Sequence, residues 1–226
     1  GPEVMRVLPR LNEEVNEEWI SDKTRFANDG LARKRLDQPY VRRDGQLQPA
    51  SWQDAFAAIA KRLEGVDGKR IAALAGDLAC AESMTALKDL MTALGSPHLD
   101  CRQDGAKLGG GARAGWLFNS TIAGIEDADA CLLIGSNPRL EAPVLNARLR
   151  KRWLAGGFKV FNLGPAVDLT YRTTELGSDA RLLERIGAGE HEVAEVLSAA
   201  ERPMLIVGQQ ALGRPDGGAI LAAARA

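Results

Sequence analysis

The sequence predicts an α/β fold, doubly wound on a mainly parallel sheet and preceded by an irregular N-terminal arm. Three observations predict it. Short apolar runs at residues 70–76, 130–134, 159–163 and 204–208 alternate with segments whose apolar residues recur at helical spacing. Each run is nearly continuous in apolar side chains, which is the pattern of strands covered on both faces. Glycines stand where the helices should stop, at Gly65, Gly95 and Gly156-Gly157.

The elements follow in order. Residues 1–50 carry charge throughout, with scattered apolar anchors such as Val7, Leu8, Leu11, Trp19, Ile20 and Phe26, and read as an arm. Ser51 is placed to cap a helix whose apolar positions are Trp52, Ala55, Phe56, Ile59, Ala60 and Leu63. A strand over 70–76 leads into a helix over 80–94. The same cycle recurs as a strand over 130–134, a helix over 141–155 and a strand over 159–163. A helix over 190–199, a strand over 204–208 and an uncapped helical pattern over 219–226 complete it. The expected domains are an arm at 1–50, an α/β domain at 51–177 and the start of a further α/β unit at 178–226, with residues 175–179 as linker. Gly1-Pro2 has the form of a protease-cleavage remnant, and with the uncapped last helix it reads as a sign of a piece cut from a longer chain.

Composition excludes several classes. A chain of 226 residues can bury roughly 70% of its unfolded surface. With 45% hydrophobic and 26% charged residues it is neither disordered nor collagenous. Lys and Arg number 29 against 30 Asp and Glu, so no net field gathers nucleic acid or an anionic membrane. No apolar run approaches the roughly 20 residues of a membrane span. Cys80, Cys101 and Cys131 stand singly, without the paired spacing of a metal site, and suit a reducing compartment.

The sharpest local motif is Ile134-Gly135-Ser136-Asn137-Pro138-Arg139-Leu140-Glu141, where a strand ends and a helix begins. Ligands bind at that position in open α/β sheets. Gly135 lets backbone approach, Ser136 and Asn137 offer hydrogen bonds, and Arg139 suits a phosphate. The alternative is a plain turn in which Pro138 holds Asn137 extended and Glu141 favours the helix start. Gly105 to Gly111 fits a G-x-x-x-G-x-G dinucleotide spacing, but residues 97–104 before it are polar where that fingerprint needs an apolar strand. The Tyr-x-x-x-Lys pair is also missing, since Asp44 follows Tyr40 and Glu175 follows Tyr171 at that spacing. His98 and His191 lie far apart, and no nucleophile elbow or phosphate loop occurs. Cys131 reads as an inert core thiol and Cys101 as a more open but structural one. Residues 148–153 are basic and read as the wet face of a helix, with a partner-subunit interface as the alternative.

Two stretches carry a resemblance. Met5-Arg6-Val7-Leu8-Pro9-Arg10 and Asn16-Glu17-Glu18-Trp19-Ile20-Ser21-Asp22-Lys23-Thr24-Arg25-Phe26-Ala27 closely resemble the large iron-sulfur subunit of respiratory complex I. Asp29-Gly30-Leu31, Arg35-Leu36-Asp37-Gln38-Pro39, Ser51-Trp52-Gln53-Asp54-Ala55-Phe56 and Gly135-Ser136-Asn137-Pro138 continue the likeness, which thins after Thr173. The resemblance implies a molybdopterin-oxidoreductase-like body with Rossmann-type layers. It also implies two losses. Ser21 stands where those enzymes carry a cluster-ligating cysteine, and a neutral hydroxyl does not replace a thiolate on iron. Asn162-Leu163-Gly164-Pro165-Ala166 stands where they keep an Ile-Asp-Pro-Arg stretch for the pterin nucleotide.

The implied role is structural, with no catalytic residue, metal or cofactor in these residues. Gly135, Ser136, Asn137 and Arg139 would be remnants of a cofactor site. The 2Fe-2S and 4Fe-4S clusters would sit in an N-terminal ferredoxin-like region outside this chain. Implied partners are the other hydrophilic-arm subunits, including the flavin/NADH-binding and quinone-site subunits, with Trp19 and Phe26 as contact candidates. Neither nucleic acid nor direct membrane insertion is expected. The implied location is peripheral, on the cytoplasmic face of a bacterial inner membrane or the matrix side of the mitochondrial one. The competing readings are a pterin- or nucleotide-binding fragment of a molybdenum or tungsten oxidoreductase, and an NAD module on Gly105 to Gly111.

Overall fold

A computed structural model describes residues 3–33, 35–101 and 104–226. Gly1-Pro2, and residues 102 and 103 of the polar stretch, lie outside the described residues. In chain order the elements are α1 (Asp22–Phe26), β1 (Tyr40–Arg43), β2 (Gln46–Pro49), α2 (Trp52–Leu63), β3 (Ala72–Leu74), α3 (Ala81–Ala93), β4 (His98–Asp100), β5 (Ala130–Ile134), α4 (Pro138–Glu141) and α5 (Pro143–Leu154). They continue as β6 (Lys159–Leu163), β7 (Thr174–Glu175), α6 (Leu182–Gly187), α7 (Glu192–Ala199), β8 (Pro203–Val207), α8 (Gln209–Gly213) and α9 (Gly217–Arg225). This is a mixed α/β fold with a parallel sheet.

The apolar runs carry β3, β5, β6 and β8, as expected. Two expectations are corrected. The helix read over 141–155 is broken at Ala142, whose φ of −145° is set by the following Pro143 that opens α5. The polar stretch over 97–104, to which the sequence reading assigned no element, holds β4, a short parallel partner of β3.

The chain divides into two compact units, one of residues 29–101 and one of Met5–Asn28 with Asp104–Ala226. The first unit holds the antiparallel hairpin β1-β2 and the parallel pair β3-β4 joined through α3. The hairpin turns on Asp44 and Gly45 at φ 51° and 78°. That left-handed pair matches the twist of the strands and favours glycine. Ser51 caps α2 by accepting from the Asp54 N–H at 3.1 Å.

The second unit is built on one parallel sheet in the order β7-β6-β5-β8. Its central strand β5 is fully buried, and its alternate residues feed two cores. Leu132 and Ile134 pack with Leu163 of β6 and with Leu183, Val193 and Ile220 from α6, α7 and α9. Cys131 and Leu133 pack with Val160, Met204, Ile125 and Leu149 of α5. The strands added after β5 go first to one side of it, as β6 and β7, and then to the other, as β8.

Residues 5–28 are attached to this body by charge. The wet-face expectation for the basic stretch is corrected at Arg148, whose side chain is only 5% exposed. Its Nη1 lies 2.7 Å from Glu126 Oε1 and 3.7 Å from Glu17 Oε1, and its Nη2 donates to the Glu13 carbonyl. Lys151 Nζ donates to Glu17 at 2.8 Å and to Glu126 at 3.0 Å. A buried guanidinium persists only with partners of this kind. The hydrogen bond from Lys151 holds the Glu17 carboxyl below its ordinary value, and Glu17, then Glu126, raise Lys151.

The pH dependence follows from those directions. A depressed carboxylate contributes stability above its unfolded value and loses it as pH falls through the folded one. A raised ammonium contributes below its unfolded value and loses it as pH rises through the folded one. Attachment of residues 5–28 is therefore expected to be flat from about pH 5 to 10 and to loosen below about pH 4. Amide exchange of residues 5–28 relative to β5 across that range measures it. A ratio that does not move on acidification would remove Glu17 from the clasp.

Candidate functional site

The carboxyl ends of β5 and β6, together with α8 after β8, border a cavity of about 530 Å³. It lies where the sheet order changes direction around β5, the place at which open α/β sheets leave a crevice. Gly135, Ser136, Asn137, Glu141, Gly164, Ser178 and Arg214 contribute to its wall, with Ile134, Leu140, Leu163 and Ile220 as apolar lining. Of the residues singled out from sequence, Gly135, Ser136 and Asn137 are together there. Arg139 is not among the wall residues.

Gly135 has φ 55°, and a Cβ on it would lie 2.8 Å from the Ala211 Cβ of α8. Its left-handed backbone and this close approach both call for glycine. The bend holds Ser136, 9% exposed, at the cavity with its hydroxyl free of any partner among the described residues. Asn137 N–H donates to Glu141 Oε1 at 2.6 Å, so a carboxylate from the chain itself reaches back over the start of α4. Arg139 Nη1 reaches Asp168 Oδ2 at 2.5 Å and the Asp168 carbonyl at 3.1 Å. The Thr170 N–H, then Arg139, hold the Asp168 carboxyl below its ordinary range. Arg214 is bidentate to Asp216 at 2.7 and 2.8 Å.

The loop after β6 is also held by the chain itself. Asn162, 1% exposed, donates through Nδ2 to Glu175 Oε2 at 2.6 Å and to the Pro165 carbonyl at 3.0 Å. The Oδ1 atoms of Asn137 and Asn162 are buried without a partner.

The remaining sequence candidates do not assemble. Gly105 to Gly111 forms a loop with glycine φ values of 67°, 68° and 126° at positions 105, 109 and 111, and neither strand nor helix. Cys131 is fully buried and its thiol is pushed up to about 12 by burial. Cys80 and Cys101 are exposed, and the hydrogen bond with Ser83 lowers the Cys80 thiol. Ser21 caps α1, accepting from the Thr24 N–H at 3.3 Å with Thr24 Oγ1 at 3.1 Å. Sequence reading missed the Arg148 clasp and the Glu141 reach-back. The spacing from Asn137 to Glu141 carried the second signal.

The molybdopterin oxidoreductase family model matches residues 35–226, and the chain belongs to that family. The model of the NADH-ubiquinone oxidoreductase NDSU1/NuoG-like 4Fe-4S domain matches residues 1–29. The chain is 50% identical over 98% of its length to the G-type subunit of the NADH-quinone oxidoreductase of Rickettsia bellii, covering 32% of that protein. It is 44% identical over 97% of its length to the corresponding protein of Rickettsia prowazekii, again covering 32%. It is 46% identical over 99% of its length to NADH dehydrogenase (ubiquinone) iron-sulfur protein 1, mitochondrial, of Solanum tuberosum, covering 30%. The resemblance drawn from the motifs is borne out. The chain spans about a third of the length of these curated relatives.

The side chains can be tested against the groups that these families imply. A molybdopterin nucleotide carries phosphate and needs free cations or N–H groups. Among the described wall residues the arginine is already paired with Asp216, and Glu141 adds negative charge at the Asn137 N–H. The donor set does not fit such a cofactor. A 4Fe-4S cluster needs cysteine thiolates, residues 1–29 contain none, and the Ser21 hydroxyl is engaged as a helix cap. No group of three or more His, Cys, Asp or Glu among the described residues is placed to hold a metal. These residues do not fit a cluster either.

Proposed function

We propose that this chain is a structural, non-catalytic part of the iron-sulfur subunit of a proton-pumping NADH:quinone oxidoreductase. It supports electron transfer from NADH to quinone by 2Fe-2S and 4Fe-4S clusters bound outside these residues. One observation carries the reading: at the crevice where this family would seat its cofactor, Asp216 already pairs with the wall's Arg214 and Glu141 takes the Asn137 N–H, while Arg139 lies outside the wall, paired with Asp168. Gly135, Ser136, Asn137 and Arg139 are then remnants of a site. The layers are those of a doubly wound, Rossmann-type sheet, with helices on each face of β5. Its partners are the hydrophilic-arm subunits, the flavin/NADH-binding and quinone-site subunits among them. It sits peripherally on the cytoplasmic or matrix side, in keeping with the lack of any described helix long and apolar enough to cross a membrane.

Iron analysis and visible absorbance of the pure chain test this reading. The expected result is no stoichiometric iron, and a stoichiometric cluster would overturn it. The unpartnered Ser136 hydroxyl in the cavity favours a second reading, retained binding of a pterin or guanine nucleotide. Calorimetry with GDP separates the two: micromolar binding abolished by Arg139→Ala would replace the structural reading with the second.

A further inference from the structure

The cavity at the ends of β5 and β6 has a polarity opposite to that of an anion site. Strand ends and helix starts ordinarily turn free N–H groups toward an anion. Here the chain takes them itself: Gly135 N–H donates to the Leu163 carbonyl and Gly164 N–H to the Gly177 carbonyl, each at 2.8 Å, and Asn137 N–H donates to Glu141. The guanidinium of the wall, Arg214, is neutralised by Asp216. Glu141 is a wall residue with no cation partner among the described residues, so it leaves the cavity one uncompensated negative charge.

Unused acceptors stand beside that charge. Asn137 Oδ1 is buried without a partner, and Ser136, nine-tenths buried on the wall, keeps an unpartnered hydroxyl. A buried acceptor without a donor is costly, and a ligand that brings the donor relieves the cost. The rest of the lining is apolar, from Ile134, Leu163, Val167 and Ile220. A volume of about 530 Å³ suits an organic molecule rather than a bare ion. We infer that this cavity is a binding site for an organic cation, a molecule with an apolar or aromatic body and one ammonium group. The three donors of an ammonium match the three acceptors that the wall leaves open, the Glu141 carboxylate, the Ser136 hydroxyl and Asn137 Oδ1. A carboxylate or phosphate in the same place would face Glu141 and find no free guanidinium. The inference goes beyond the structural role proposed above and rests on the wall alone.

Tryptamine is a suitable probe, with indole-3-acetate as a ligand of the same ring body and opposite charge. Titration of the 226-residue chain at neutral pH, read by the amide NMR signals of Gly135, Asn137 and Gly164, tests the inference. Tryptamine is expected to shift these signals to saturation and to bind at least ~10-fold more tightly than indole-3-acetate. Glu141→Gln is expected to weaken tryptamine about 10-fold. The glutamine oxygen still accepts from the Asn137 N–H, so the turn is kept and an otherwise unchanged amide spectrum verifies it. Ser136→Ala is expected to weaken tryptamine about 3-fold. Glu195→Gln on α7, which is not a wall residue, removes the same charge from the chain and is expected to change nothing.

Absence of a saturable shift with tryptamine overturns the inference. Equal or tighter binding of indole-3-acetate would show that only the ring body is read, and overturns it as well. Unchanged affinity in Glu141→Gln, or an equal loss in Glu195→Gln, would remove the carboxylate from the site and do the same. Tighter binding of GDP than of tryptamine overturns it in favour of the nucleotide reading. The iron content of the chain tests the proposed function separately: stoichiometric iron would sink that function and leave the tryptamine result standing.

Discussion

Replacing Gly208 by alanine is expected to destabilise the second unit by about 3 kcal/mol, the upper range for overpacking a tight site. Gly208 has φ −71° and ψ 148°, a backbone that alanine adopts freely, so the effect is steric alone. An added Cβ would lie 2.7 Å from the Gly135 carbonyl carbon and 2.9 Å from the Ser136 Cα. Both are backbone atoms at the end of the central strand and cannot swing away. The loop after β5 must shift, and with it Ser136 at the cavity. Urea unfolding measures the loss. Gly218→Ala in α9, where nothing lies within 4 Å of the added carbon, is the matched control and is expected to be neutral or slightly stabilising. Equal midpoints for the two variants would show that the strand ends have room the structure does not assign them.

Arg148→Ala is expected to cost about 3 kcal/mol, the scale of removing one partner from a buried ion pair. It leaves Glu17 and Glu126 sharing Lys151 alone and frees the Glu13 carbonyl. Residues 5–28 should detach first, so protease cleavage within them should rise well before β5 opens. Arg148→Lys keeps the charge but loses the fork that serves two carboxylates and a carbonyl at once, and should recover only part of the loss. Cleavage at the wild-type rate in Arg148→Ala would assign attachment of these residues to packing rather than to charge.

The fold was legible where one physical signal dominated. β5, β6 and β8 are continuous apolar runs, and α2 announces itself by Ser51 and its apolar spacing. β4 was hidden because all three of its residues are exposed and its apolar content is a single Leu99. The hairpin β1-β2 was outweighed by the charges around it, although Asp44-Gly45 is a strong hairpin signal. At the site, Gly135, Ser136 and Asn137 were readable as a strand-to-helix turn. The engagement of Arg139 by Asp168, 29 residues away, was not, because no local pattern encodes it. The burial of Arg148 was least accessible of all: its carbonyl partner lies 135 residues earlier, and a basic run on a helix ordinarily faces water.

The alternation along β5 acts as a partition. Leu132 and Ile134 serve the core beside the crevice, while Cys131 and Leu133 serve the one that carries α5 and its arginine. Side-chain changes on the crevice side therefore reach the clasp side only through the shared backbone of β5. A lineage could shed its ligand chemistry there, one substitution at a time, without loosening its grip on residues 5–28.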